Sequence, residues 1–156
     1  MNRTVFPFFS LFIVLAGSIQ AQDADAATVQ KAVETKNYVF KAESATPQRG
    51  GHRQLTTEYE LLVNPDTVVS FLPYFGRSYS APINPSDAGI KFTSMNYEYS
   101  VKTKKKNRWD ITIKPNDVSD IRDLNLTVFD NGRASLRVNS NNREPITFEG
   151  YLKVRE

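Results

Sequence analysis

Between Tyr38 and Val154 the chain returns again and again to a two-residue rhythm, and no other feature narrows its fold as much. Tyr38, Phe40 and Ala42 alternate with Val39, Lys41 and Glu43, and Tyr59, Leu61 and Val63 with Glu58, Glu60 and Leu62. Met95, Tyr97, Tyr99 and Val101 alternate with Asn96, Glu98, Ser100 and Lys102; Trp109, Ile111 and Ile113 with Asp110, Thr112 and Lys114. Leu124, Leu126 and Val128, then Ala134, Leu136 and Val138, then Ile146, Phe148, Gly150, Leu152 and Val154 continue the series. Successive side chains of a strand point to opposite faces, so each segment has one apolar and one wet face, the pattern of antiparallel sheet. Asn64-Pro65-Asp66-Thr67 is a turn signal, and Asp130-Asn131-Gly132 predicts a two-residue hairpin turn of the primed type.

The reading is a mainly β protein: an antiparallel up-and-down meander of about eight strands, joined by short turns. A meander of that size exposes its edges unless it curls, and closure removes them. A lipocalin-like (calycin-type) barrel or half-barrel is therefore expected, wide enough to pack side chains or hold one small ligand. A flat sheet with a helix on its apolar face is the alternative. Asp23 to Asn37 predicts that helix, with Asp23 or Asp25 as N-cap and Ala26, Val29 and Val33 on one face. Its apolar stripe is thin, so it should dock on something larger or stay frayed.

The first residues have the pattern of an export signal. Arg3 supplies the positive region, Val5 to Leu15 is nearly all apolar, and small residues run to Ala21. The apolar run is shorter than the roughly 20 residues of a spanning helix. Residues 1–21 are read as a signal peptide and 22–156 as one domain. The chain has no Cys, which excludes disulfides, thiolate metal sites and a Cys nucleophile. Removing residues 1–21 takes away one charge, Arg3, so the formal net charge falls from +3 to +2. So small an imbalance argues weakly for an anionic partner.

Thr67 to Leu72 reads as a further strand, and it leads into the stretch Val68 to Pro82, continuing to Ile90 and Phe92, which is rich in aromatics but as a whole follows neither period. Tyr74, Phe75 and Tyr79 with Arg77 are the candidate ligand-binding residues: apolar walls and one planar donor fork suited to a carboxylate or phosphate. In the plainer reading Gly76 makes a tight turn, the aromatics plug the barrel end, and Arg77 caps carbonyls or pairs with a local acid. Pro82, Pro85 and the residues around them predict a second irregular loop, and Thr46 to His52 a polar one. Lys104, Lys105 and Lys106, with Lys102 and Arg108, cluster at a hairpin tip and form the alternative, partner-binding site.

The central stretch and the C-terminal hairpins together resemble the domain of unknown function family 4251. The residues that carry this are Pro73-Tyr74-Phe75-Gly76-Arg77, Ala81-Pro82, Gly89-Ile90-Lys91-Phe92, Trp109-Asp110-Ile111, Ala134 to Val138, Asn142-Arg143 and Gly150-Tyr151. The resemblance implies a secreted single-domain bacterial protein, in the periplasm or cell envelope of a Gram-negative cell. It implies no activity.

No catalytic constellation is apparent. His52 is the sole His, in a Gly- and Arg-rich loop, and no Gly-x-Ser-x-Gly elbow exists. No cofactor and no metal site is expected, since Asp117, Asp120 and Asp123 lack the spacing of an oxygen-ligand loop and read as a solvated turn. Nucleic acid is disfavoured by the export signal. The expected function is non-enzymatic binding of a small apolar or amphipathic ligand in the cell envelope. A protein-binding or inhibitor-like module using a sheet edge or the basic tip comes second, and a hydrolase third.

Overall fold

The computed structural model describes residues 25–79, 88–105 and 107–155. The expected signal peptide, Lys106, and the loop around Pro82 and Pro85 lie outside them. One helix precedes nine strands: α1 (Ala26–Thr35), β1 (Tyr38–Pro47), β2 (Arg53–Val63), β3 (Val68–Leu72), β4 (Ile90–Ser94), β5 (Tyr97–Lys104), β6 (Arg108–Pro115), β7 (Ile121–Val128), β8 (Arg133–Ser140) and β9 (Ile146–Val154). They form one sheet in the order β4-β3-β2-β1-β9-β8-β7-β6-β5, with every neighbouring pair antiparallel.

Direction alternates at each step of that order, so β4 and β5, at its two ends, run the same way. They are also consecutive, separated only by Met95 and Asn96. They are therefore two halves of one bent strand, the first half paired with β3 and the second with β6. This strand curls the sheet into a nearly closed, lipocalin-like barrel. Nine strands stand where about eight were expected, because Ile90 to Ser94 is strand where an irregular stretch was expected. Asp117 holds the bend: its carboxylate accepts from the Ser94 hydroxyl, from the Met95 amide at 2.9 Å and from the Asn96 amide at 3.3 Å. These bonds, the Ser94 hydroxyl's first, hold its carboxyl below the ordinary value. Asp117 is thus a brace rather than a merely solvated turn. Asp123 lies in β7, where the amides of Asn125 and Asn139 and the Arg122 guanidinium donate to it.

The inward residues fill the barrel. Tyr38, Phe40, Leu61, Leu72, Ile113, Leu124, Leu136 and Phe148 are fully buried, and Ile111 and Leu126 nearly so. Each such side chain contributes roughly 1.5–3 kcal/mol. Ser70, an inward hydroxyl, donates to the Ile90 carbonyl at 2.8 Å, so no polar atom is stranded there. In β1 an extra residue between Ala42 and Ser44 shifts the pairing with β9, so Ala45 and Pro47 are buried in phase beyond the break. For that reason β1 runs to Pro47, and the loop expected from Thr46 begins at Gln48.

α1 is shorter than expected, with Asp25 as its N-cap accepting from the Thr28 amide at 2.8 Å. Val29, Ala32 and Val33 are buried against the barrel. The Tyr99 hydroxyl donates to the Val33 carbonyl at 3.0 Å and lies 3.1 Å from that of Tyr38. Lys36 ends the helix in the left-handed region (φ 53°), its ammonium over the rings of Tyr97 and Tyr99. Met95 (75 %) and Val101 (37 %) are exposed although in phase with Tyr97 and Tyr99, because β5 is paired on one side only among the described strands. The Asp130 hairpin also departs from expectation. The Gly132 amide donates to Phe129 at 3.0 Å, and only Gly132 has positive φ (78°), so Asp130 to Gly132 is a three-residue loop ending in a left-handed glycine.

Candidate functional site

After Leu72 the chain leaves the sheet and crosses the barrel end as a strap, Pro73 to Tyr79. In the sheet order β3 is separated from β8 and β9 by β2 and β1, yet the strap pairs with the β8–β9 loop. The Tyr79 amide donates to the Asn142 carbonyl at 2.8 Å, and the Glu144 amide to the Arg77 carbonyl at 3.0 Å. The Tyr74 hydroxyl lies 2.6 Å from the Arg77 carbonyl and 2.9 Å from that of Glu144. Burial, with the Glu144 carboxylate behind it, raises the Tyr74 hydroxyl above its ordinary value.

Gly76 sits against this hydroxyl. A Cβ there would come within 2.5 Å of the Tyr74 oxygen. The chain bends at Gly76, but its φ is not positive, so space rather than backbone conformation demands glycine there. The arginine expected to cap carbonyls is also a different one. Arg143 donates through Nη1 to the carbonyls of Ala88 (3.1 Å) and Gly89 (2.9 Å), and Nε lies 3.3 Å from the Asp120 carboxylate. Its guanidinium lies 5.2 Å from the centre of the Tyr74 ring.

Between strap and loop lies a cleft of about 240 Å³, lined by Tyr74, Gly76, Ser78, Ala88, Asp120, Asn142 and Arg143. Of the four expected ligand residues, Tyr74 lines it. Phe75 (38 % exposed), Arg77 and Tyr79 (73 %) are exposed on the strap. Alternation explains the split: 74, 76 and 78 line the cleft, and 75, 77 and 79 face away. Arg143, Asp120 and Asn142 were missed because they meet Tyr74 only through the folded chain. The adjacent pair Asn142-Arg143 was their one visible sign.

A sequence model of the domain of unknown function DUF4251 matches residues 20–152. The chain belongs to the DUF4251 family. A crystal structure at 1.95 Å of a DUF4251 family protein from Bacteroides eggerthii DSM 20697 is similar, with a TM-score of 0.61 and 20% sequence identity. The alignment covers 85% of this chain and 91% of that one, and at this identity it shows the DUF4251 fold alone. No curated protein matches.

The basic tip sits elsewhere on the DUF4251 barrel. Lys104 is paired with Arg108 at the end of β5 and β6, and Lys105 stands in the turn. Exposed lysines at 102 and 104 flank the side of β5 that carries no described strand, where they oppose edge pairing. Beside α1, an open groove is lined by Thr28, Lys31, Thr35, Pro65 and Arg155 among others. Among the described residues, no helix is long and apolar enough to cross a membrane.

Proposed function

We propose that this DUF4251 protein is a non-enzymatic binding module of the bacterial cell envelope, taking a small amphipathic ligand in the cleft between strap and β8–β9 loop. The observation that carries the reading is the cleft's construction. Backbone pairing fixes both walls before any ligand arrives, and Ser78, Asn142 and Asp120 present polar groups beside the Tyr74 ring and Ala88. A preformed site loses little to ordering on binding. Its volume falls below the roughly 300–1,000 Å³ of drug-sized pockets, which suits a molecule of sugar or amino-acid size with several hydroxyl or amine groups and one apolar edge. The filled interior argues against a ligand along the barrel axis. Export is supported by the leader-like residues 1–21.

The test is native mass spectrometry of the protein isolated from its own host's envelope. A retained small mass is expected, and Ala88→Phe, a change at an exposed position lining the cleft, should abolish it without altering the melting temperature. A bare protein, or an adduct that survives Ala88→Phe, would reject the reading.

A further inference from the structure

The outward side of the strap has a separate chemistry. Phe75, Arg77 and Tyr79 form an aromatic–cation–aromatic stripe, all three exposed. The β1–β2 loop rises beside it. The Arg53 guanidinium lies 5.0 Å from the centre of the Phe75 ring, and Arg49 Nε is 3.7 Å from Glu144, whose amide is bonded to the Arg77 carbonyl. Arg49, Arg53 and Arg77 therefore meet on one end of the barrel, all exposed. Residues 46–53 and 73–79 together contain these three arginines and no Asp or Glu. Glu144, the acid beside Arg49, is buried, and Asp120 is engaged with Arg143.

A surface meant only for water gains little from exposed Phe and Tyr, and acids would normally be interspersed with its arginines. Phenyl and phenol rings set among guanidinium groups suit the boundary of a bilayer, where rings enter the headgroup layer and cations meet phosphates. Arginine also bonds phosphate oxygens with its planar fork. We infer that the strap end of the barrel docks on a bilayer surface rich in anionic phospholipid, through Phe75 and Tyr79 and the three arginines. The docking surface is on the side of the strap away from the cleft, so it stands or falls independently of the ligand proposed above. The lysine tip carries more cations but lacks this combination: the exposed apolar residue beside it, Val101, is aliphatic and belongs to a half-paired strand.

Cosedimentation with vesicles decides the matter. The full domain should bind vesicles of phosphatidylcholine mixed with phosphatidylglycerol, and not pure phosphatidylcholine, with affinity falling as salt rises. Arg49→Gln/Arg53→Glu/Arg77→Glu should lower binding at least tenfold. Phe75→Ser/Tyr79→Ser, which leaves the charges in place, should weaken it and make the remainder fully salt-labile. Lys102→Glu/Lys104→Glu/Lys105→Glu should bind like the parent. Absence of binding to the anionic vesicles overturns the inference. So does loss confined to the lysine variant, or full competition by inorganic phosphate, which would mark a free-anion site. Capture of poly-glutamate but not of vesicles would assign the rim to an acidic protein and overturn it equally.

Discussion

The hydroxyl of Tyr74 reaches the carbonyl of Glu144, 70 residues further along the chain and 2.9 Å away, and so fastens the strap to the β8–β9 loop. Removing it in Tyr74→Phe strands that carbonyl and weakens the hold on Arg77. The expected loss is about 1–2 kcal/mol, read by urea unfolding. Gly76→Ala should cost a similar amount by pushing the hydroxyl aside. It should cost clearly less in a Tyr74→Leu background, since the two residues share one space. Additive losses would contradict this coupling.

Arg143, not Arg77, is the arginine on which the barrel end depends. Arg143→Ala removes two bonds to carbonyls, the contact with Asp120 and the cover of the Tyr74 ring, for roughly 2–4 kcal/mol. Arg77→Ala, at an exposed side chain, should stay within about 0.5 kcal/mol. Denaturation midpoints of the two single variants check the ranking, and equal losses would refute it.

Gly150 is fixed by a close approach of two strands. A Cβ there would stand 1.9 Å from the Lys41 carbonyl oxygen, beside the extra residue in β1. Neither backbone can yield without breaking the β1–β9 pairing. Gly150→Ala should destabilise by about 3 kcal/mol or more, whereas Gly51→Ala, with open space around it, should cost little by comparison. Thermal melts of both variants provide the test.

Alkaline pH should loosen the helix end first. Burial raises the Tyr99 hydroxyl to about 12 and drives Tyr38 upward as well, from an ordinary value of 10.0. Both folded values exceed the unfolded one, so their contribution is full below about pH 10, and that of Tyr99 is lost as pH rises through about 12. Stability measured from about pH 8 to 12 should fall along that limb, and Tyr99→Phe should make the limb shallower. A flat profile to about pH 12 in the parent protein would oppose the assignment.

Much of the barrel was legible before folding, because a strand writes its two faces into the sequence at a fixed period. Ile111, Leu124, Leu136 and Phe148 are inward as that period requires. The bend at Met95–Asn96 was not, since Asp117 makes it from a distant connection and a local pattern carries no trace of such a partner. The Asp130 loop misled for a related reason: Asn-Gly marks a primed turn only when both residues take positive φ, and here Gly132 alone does. At the site, Tyr74 stood out by its aromatic neighbourhood. Arg143, Asp120 and Asn142 stayed hidden because nothing local distinguishes a clamping arginine from a solvated one.

Whether a ligand occupies the strap cleft is most directly tested by amide NMR. The labelled domain, stripped of bound molecules, would be titrated with the small-molecule extract of its own host's envelope. Shifts should concentrate at Ser78, Tyr79, Ala88 and Asn142, and vanish in Ala88→Phe. Shifts gathered instead at Thr28, Lys31 and Arg155 beside the helix, or none with any fraction of the extract, would contradict the proposed site.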